Sequence, residues 1–239
     1  MLSIRNTKIN PCPLVSPSRT NTLMSSPKNI ANVVVFASGR GSNFQALLDH
    51  QQHGYFAGCK IVGLITDNAT ATALEIAKSQ EIPHVSISPR GLARASDFEK
   101  KLLATLREWD THWIVLAGYM RMIGPQLLNA YPNRIVNIHP SLLPAFPGLN
   151  AQKQAYNHGV KISGCTAHLV DQGMDTGPIV CQRSVDISTA TSEHEVAQSI
   201  LKIEHATLAL ALKILTEQPW QLEGRRINYQ PIQEQDQAQ

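Results

Sequence analysis

The sequence predicts an α/β protein with a Rossmann-like fold, in which a mostly parallel central sheet carries helices on both faces. From Asn32 onward, short β-branched runs alternate with helical patterns. These runs are apolar along their whole length, which is typical of parallel strands that are buried on both sides. With 239 residues, 43% of them hydrophobic, the chain is long enough to bury such a core.

Each element is predicted from its own pattern. Strands are expected at 32–37, 60–66, 84–88, 113–117 and 134–138, and helices at 42–53, 70–80, 95–109 and 123–130. A helix at 150–157 and strand-like runs at 163–170 and 178–187 follow, and we expect these runs to extend or edge the sheet. Ser192 and Glu195 form a capping box that begins a long final helix, which ends near Thr216.

We expect one folded domain over 31–220, between two segments of different composition. Residues 1–30 contain no Asp or Glu and are rich in Ser and Pro, which predicts a disordered extension. This extension is either an organelle transit peptide or a tail ahead of a start at Met24. The protein is accordingly expected in the cytoplasm, or in an organelle stroma or matrix if the extension is a transit peptide. Residues 221–239 are expected to form a C-terminal tail.

Charge and composition argue against several classes of protein. The net charge is only +3 and no basic stripe is present, so a nucleic-acid surface is not expected. No apolar stretch approaches the length that spans a bilayer, so no membrane segment is expected. The four cysteines show no CxxC or zinc-ligand spacing, which indicates a reducing compartment and no structural metal.

The first predicted strand ends in ASGRGSN, residues 37–43. Gly39 and Gly41 allow a tight turn, and Ser42 and Asn43 begin a helix whose free N–H groups attract an anion. This pattern indicates a phosphate cradle, although it matches neither the dinucleotide fingerprint nor a P-loop. An ordinary glycine turn with a helix cap would explain the same residues.

The fourth strand ends in AGYMRMI, residues 117–123. Gly118 lets a flat group approach the backbone, and Arg121, Met122 and Ile123 would supply polarity and apolar walls to a ligand. Taken alone, the segment is better explained as a plain strand-to-helix connection.

The fifth strand ends in NIHP, with Asn137 and His139 two residues apart. In an extended chain these two side chains face the same way and can converge on one atom. Pro140, Pro144 and Pro147 restrict the following loop, which would hold that geometry.

Acidic residues in the second half of the chain supply possible partners for this pair. We expect Asp175 to pair with His139 and to raise the pKa of that imidazole. Asp171 is expected to make a local Asx turn, and His168 to be structural or supporting. Glu204 lies beside the apolar stripe of the last helix, where it needs a cationic partner or contact with water.

The sequence offers no Ser or Cys nucleophile with an evident base and no metal-ligand spacing, so neither covalent nor metal catalysis is expected. An amide donor, an imidazole and a carboxylate suit acyl transfer through a tetrahedral intermediate.

At these residues the sequence resembles the folate-dependent phosphoribosylglycinamide formyltransferases. SGRGSNFQAL, VLAGYMRMI, NIHPSLLPAFPG, GCTAHLVDQGMDTGPI and EHATLALAL occur in the order and at the spacing of that family, from about Asn32 to Trp220. The resemblance implies the family's formyltransferase fold. It implies formyl transfer from 10-formyltetrahydrofolate, the co-substrate, to 5'-phosphoribosylglycinamide in de novo purine (IMP) biosynthesis. It also implies two small-molecule substrates, no metal, and a monomer or homodimer.

The resemblance also implies roles for individual residues. The ribotide phosphate site is implied at Gly41, Ser42 and Asn43. The folate pocket is implied at Met120, Arg121, Met122, Ile123 and Asn137. The catalytic group is implied at Asn137, His139 and Asp175. Asn137 would bind the formyl oxygen, His139 would act as general acid, and Asp175 would support the pKa of His139. Glu204 would contact the glycinamide amine or the ribose.

Three positions depart from the family pattern. Arg40 stands where a small or amide residue is common, and Asn150 where some relatives carry His. Arg94 is one residue out of register with an arginine that touches the folate in some members, so no contact is assigned to it.

Three alternatives remain at this point. Formyltetrahydrofolate deformylase shares the Asn, His and Asp group but usually carries an extra preceding domain and lacks the GRGSN turn. Methionyl-tRNA formyltransferase needs a further C-terminal domain, for which no residues remain. A non-catalytic ribotide-binding module would use the GRGSN turn and leave His139 structural.

Overall fold

A computed structural model describes residues 23–24 and 30–230. Its strands are β1 (Leu23–Met24), β2 (Ala31–Phe36), β3 (Cys59–Thr66), β4 (His84–Ser86), β5 (Trp113–Leu116), β6 (Ile135–His139), β7 (Ile162–Leu169), β8 (Ile179–Asp186), β9 (Trp220–Glu223) and β10 (Arg226–Tyr229). Its helices are α1 (Ser42–Gln52), α2 (Thr72–Ser79), α3 (Ala95–Glu108), α4 (Pro125–Ala130), α5 (Ala151–His158) and α6 (Glu193–Glu217). Every helix and strand predicted from the sequence is present, with ends that differ by a few residues.

All ten of these strands belong to one sheet, in the order β1-β9-β10-β8-β7-β6-β5-β2-β3-β4. The five neighbouring strands β4, β3, β2, β5 and β6 are parallel to one another. Strands β7 and β8 continue the sheet in antiparallel pairing. The chain leaves β2 towards β3 and β4 on one side and returns to β5 and β6 on the other. In open α/β sheets, ligands bind at such a reversal, beyond the carboxyl ends of the strands.

Two apolar cores lie on opposite faces of the sheet, because successive side chains of β2 point in opposite directions. Val33 and Val35 pack into the core that α1, α2 and α6 cover. Val34 and Phe36 pack into the core that α3 and α4 cover. The uniformly apolar sequence of the strand is therefore explained by helices on both of its faces.

The structure adds a hairpin that the sequence analysis did not predict. Part of the stretch assigned to a tail forms β9 and β10, which join the sheet beside β8. Trp220 anchors this hairpin: its indole is buried, and its ring lies 6.4 Å from that of Trp113. The expected disorder at 1–30 and the end of the tail fall outside the described residues, apart from β1 and Ile30.

Candidate active site

The carboxyl ends of β2, β5 and β6 lie side by side. Leu116 pairs with Phe36 on one side and with Asn137 on the other, which sets all three strands in one register. The loops that follow β2 and β5 are also joined: Ser38 donates its N–H to Gly118 O (3.1 Å), and its Oγ accepts from Met120 N (3.0 Å). The three motifs that the sequence singled out therefore meet at one edge of the sheet.

The glycine-rich turn between β2 and α1 is built around Gly41. Its φ of 78° is left-handed, and a Cβ here would lie 2.8 Å from the Cβ of Ala73. Ser42 then begins α1, whose first N–H groups have no partner within the helix. Asn43 is buried and donates from Nδ2 to Glu204 Oε2 at 3.0 Å, while its Oδ1 has no partner within the described residues. The turn is confirmed, and its binding of phosphate stays a prediction.

Glu204 on α6 lies inside the protein and not at the solvent edge, with only 7% of its surface exposed. Burial raises the pKa of this carboxyl, against the opposing effects of the Asn43 hydrogen bond and the charge of Arg40. Arg40 itself is exposed in the turn. The Asn43–Glu204 contact therefore links the glycine-rich turn to the last helix and leaves Asn43 Oδ1 without a partner among the described residues.

The segment after β5 exposes one set of side chains and buries another. Met120 and Met122 are 68% and 59% exposed, whereas Ile123 packs into the core beneath α3. Tyr119 is also buried, with its ring 5.2 Å from that of Phe36. Of the four residues of this segment that were expected to line a folate pocket, Met120, Arg121 and Met122 are available at the surface, and Ile123 packs beneath them.

At the end of β6, Asn137 and His139 meet Asp175 and His168. His139 Nδ1 lies 3.3 Å from Asp175 Oδ2, which is the pairing expected from the sequence. Asn137 Nδ2 lies 3.1 Å from His168 Nε2, and the same nitrogen of His168 is 3.6 Å from Asp175 Oδ1. Because His168 Nδ1 donates to Leu169 O (2.9 Å), Nε2 of the neutral ring is an acceptor for the Asn137 amide.

The pKa of His139 corrects an expectation. Burial lowers the pKa of this imidazole, with only 5% of the residue exposed. The hydrogen bond to the Phe146 carbonyl and the Asp175 charge raise it by less, and His168 opposes them. The prediction of a raised pKa was therefore wrong, because the partner was identified but the loss of hydration was not. His139 Nε2 donates to Phe146 O at 2.8 Å, so Nδ1, beside Asp175, carries no proton in the neutral ring and takes one up when the imidazolium forms.

Asp175 is held as a carboxylate. Burial opposes its ionisation, but the contact with His168, the hydrogen bond from Gly148 and the charge that each imidazole carries when protonated lower the pKa of Asp175. The Gly148 N–H donates to Oδ2 at 2.7 Å. Asp175 also has a φ of 55°, a left-handed conformation that Asp tolerates better than most residues.

A buried hydrogen-bond centre fixes the proline-containing loop that follows His139. Thr166 is fully buried, and its Oγ1 donates to Ser141 O (2.7 Å) and accepts from Leu143 N (3.0 Å). Gln182 Nε2 lies 2.9 Å from both this hydroxyl and Leu143 O. Sequence reasoning missed Thr166 and Gln182, since only the strand register reveals them: Thr166 is the partner of His139 across β6 and β7.

Other positions singled out in the sequence have structural roles. Asp171 makes the expected Asx turn, accepting from Gly173 N (3.0 Å) and Thr176 Oγ1 (2.6 Å). Asn150 caps α5 with a left-handed φ of 58°, which Asn tolerates. Arg94 caps α3 and contacts Asp97 at 3.4 Å.

Within residues 30–230, no three His, Cys, Asp or Glu side chains are grouped so as to hold a metal ion. In the same part of the chain, no helix is both long and apolar enough to cross a membrane.

Comparisons with known proteins agree on one family. The formyl transferase profile matches residues 31–212. The phosphoribosylglycinamide formyltransferase of Bacillus subtilis (strain 168) is 42% identical over 182 residues, which cover 76% of this chain and 92% of that protein. The trifunctional purine biosynthetic protein adenosine-3 of Drosophila melanogaster is 38% identical over 203 residues, 84% of this chain but only 15% of that protein.

Solved structures give the same result. Glycinamide ribonucleotide transformylase 1 from Symbiobacterium toebii has a TM-score of 0.83 and 37% identity, and the match covers 86% of this chain and 96% of that one. A formyltetrahydrofolate deformylase from Pseudomonas syringae pv. tomato has a TM-score of 0.78 at 24% identity, over 85% of this chain and 67% of that one, and shares the fold.

Proposed function

This chain belongs to the formyl transferase family, and we infer that it transfers the formyl group of 10-formyltetrahydrofolate to the amine of 5'-phosphoribosylglycinamide. The products are formylglycinamide ribonucleotide and tetrahydrofolate, a step of purine biosynthesis. The observation that carries the residue assignments is that Asn137, His139 and Asp175 converge at the same sheet edge as the glycine-rich turn.

The ribotide binds at the glycine-rich turn. Its phosphate accepts hydrogen bonds from the first N–H groups of α1, at Gly41, Ser42 and Asn43, where the helix dipole favours negative charge. Glu204 accepts from the amine or the ribose, since its carboxylate is mostly buried and Asn43 is the one donor to it among the described contacts. The unpartnered Asn43 Oδ1 supports a donor from the ligand at the same place.

The folate binds over the segment after β5. Exposed Met120 and Met122 offer apolar, adaptable surface, and Arg121 adds a fixed positive charge beside them. Ile123 belongs to the pocket through its support of this segment from the core. Asn137 is half-buried at the end of β6, beside this segment, and there it contacts the formyl group of the bound folate.

In the chemical step the amine attacks the formyl carbon, and negative charge develops on the formyl oxygen. Asn137 donates to that oxygen with the N–H that His168 does not use. His139 stabilises the same charge when its Nε2–H turns from the Phe146 carbonyl to the formyl oxygen, and Asp175 stabilises the imidazolium that forms when the ring takes up the proton that the amine releases. That proton is then returned, through His139 or a water, to the nitrogen of the departing tetrahydrofolate.

Both substrates are small molecules, and we propose that the reaction needs no metal, nucleic acid or membrane. We also propose that the protein acts as a monomer or homodimer in the cytoplasm.

The test is to mix the protein with 10-formyltetrahydrofolate and either the ribotide or water, and to follow tetrahydrofolate. Release that requires the ribotide is expected; release in water alone would identify a deformylase. His139→Ala should lower kcat by about 100-fold or more while ribotide still binds. His84→Ala, at an exposed histidine on β4, is the control. Unchanged turnover in His139→Ala would leave His139 a structural residue.

A further inference from the structure

Glu99 on α3 is a buried carboxylate outside the group that surrounds His139. Only 7% of its surface is exposed, although an unpaired carboxylate is among the side chains most costly to bury. Its Oε1 accepts a hydrogen bond from the backbone N–H of Leu127, in the first turn of α4, at 3.2 Å. A buried carboxylate that accepts a hydrogen bond from a backbone N–H fixes the position of that part of the backbone.

The carboxylate also lies directly against the backbone that leads into α4. A Cβ placed on Gly124 would overlap the Glu99 carboxylate, so this position accepts no side chain while Glu99 keeps its place. Glu99 therefore holds the backbone at two points, Gly124 by close contact and Leu127 by a hydrogen bond. These points mark the carboxyl end of the segment that follows β5.

The neighbouring residue on α3 holds the middle of the same segment. The guanidinium of Arg121 lies 5.5 Å from the centre of the Phe98 ring, a cation–π distance. At the amino end, Ser38 binds Gly118 and the N–H of Met120. The exposed residues Met120, Arg121 and Met122 thus lie between two ends that are fixed, one by Ser38 and the other by Glu99.

We propose that Glu99 is a positioning residue for folate binding: by fixing Gly124 and Leu127, it holds Arg121 and Met122 in the arrangement that receives 10-formyltetrahydrofolate. This proposal rests on the proposed function. Segments held in the bound conformation lose less entropy when the ligand arrives, so releasing one end weakens binding at that segment. The ribotide site is built from other elements, α1 and α6, and should not be affected.

The experiment compares Glu99→Ala, Glu99→Gln and the control Glu108→Gln, an exposed residue on the same helix. In steady-state assays, Glu99→Ala should raise the KM for 10-formyltetrahydrofolate about tenfold, because the Leu127 N–H loses a buried acceptor. The KM for the ribotide should change by less than about twofold, as expected for independent sites. Glu99→Gln retains an acceptor oxygen and should recover most of the affinity, and Glu108→Gln should match the unsubstituted protein.

Gly124→Ala provides a second route if Glu99→Ala does not fold. The added methyl group pushes against the carboxylate, so the same selective rise in the KM for 10-formyltetrahydrofolate is expected. The effects of Glu99→Ala and Gly124→Ala on this KM should be less than additive when the two are combined.

Equal changes in both KM values, or a loss of thermal stability with both KM values unchanged, would overturn the positioning role. If the unsubstituted protein releases no tetrahydrofolate, the proposed function fails and this proposal with it; normal activity without the KM difference overturns this proposal alone.

Discussion

Asp175 and Glu204 are both carboxylates withdrawn from water near the same edge of the sheet, yet their pKa values move in opposite directions. The pKa of Asp175 is lowered, and the pKa of Glu204 is raised. Burial raises both pKa values, and more for the deeper Glu204, so burial does not account for the lowered pKa of Asp175. The contacts of the two carboxylates account for the difference in direction. Asp175 faces Gly148 N, His139 and His168, whereas Asn43 is the donor to Glu204 among the described contacts.

Under the proposed function, this contrast distinguishes a group that is complete before substrate binds from one that we expect the substrate to complete. Around Asp175 the protein has already supplied the hydrogen bonds, and the backbone accepts a φ of 55° to do so. Such preorganisation is what stabilisation of a developing charge requires. Around Glu204, Asn43 Oδ1 has no partner among the described residues, and we propose that donors of the ribotide complete this site.

The largest effect should come from removing the charge of Asp175. Asp175→Asn keeps the size of the side chain and tolerates a left-handed φ, so the loop should persist. It removes the carboxylate that stabilises the His139 imidazolium. We expect kcat to fall about 100-fold, roughly 2.7 kcal/mol of barrier, with the KM for the ribotide nearly unchanged. Steady-state kinetics with each substrate varied in turn measures both quantities.

Asp171→Asn is the matched control, four residues earlier in the same loop. Its side chain bonds only within its own turn among the described contacts, to Gly173 N and Thr176 Oγ1. Its kcat should stay within about twofold of the unsubstituted protein, as for a residue outside the reacting group. Equal losses in the two variants would mean that Asp175 acts through the loop and not through His139.

Glu204→Gln should have a smaller effect than Asp175→Asn, and it should act on ribotide binding and not on kcat. The amide cannot accept as strongly from an amine or a sugar hydroxyl, so the KM for the ribotide should rise about tenfold with little change in kcat. Because the pKa of Glu204 is raised, its carboxylate ionises only above the ordinary glutamate range. The KM for the ribotide should therefore fall as pH rises through that region, and Glu204→Gln should abolish this dependence.

Glu193→Gln, at an exposed position of the same helix, controls for general effects on α6. A pH dependence that persists in Glu204→Gln would assign the ionisation to the ribotide itself. A large fall in kcat with normal ribotide KM would contradict the distinction between the two carboxylates.

The elements and the meeting of the strand ends were predictable because they depend on local patterns. The two-residue period of a strand puts Asn137 and His139 on one face, and the apolar runs require helices on both sides of the sheet. The hairpin β9–β10 carries the alternation of apolar and polar residues that is typical of half-buried strands, but each strand has only four residues, and the uniformly apolar runs that mark the central strands are missing.

Features that depend on register or burial were beyond the sequence. His168 was read as structural or supporting, but its contact with Asn137 follows from the pairing of β6 with β7, which nothing in either strand specifies alone. The hydrogen-bond centre at Thr166 has the same origin. The pKa of His139 was given the wrong sign because a nearby carboxylate can be inferred from spacing, whereas the loss of hydration requires the packed structure.

The smallest expected effect tests that sign directly. Burial lowers the pKa of His139, and Asp175 partly offsets the shift, so an NMR titration of the ring should give a midpoint below the ordinary value of 6.5. Asp175→Asn should lower the midpoint further, since the offset is lost, while Asp171→Asn should leave it in place. A midpoint above the ordinary value would mean that Asp175 outweighs burial, and no change in Asp175→Asn would mean that the 3.3 Å contact carries no charge coupling.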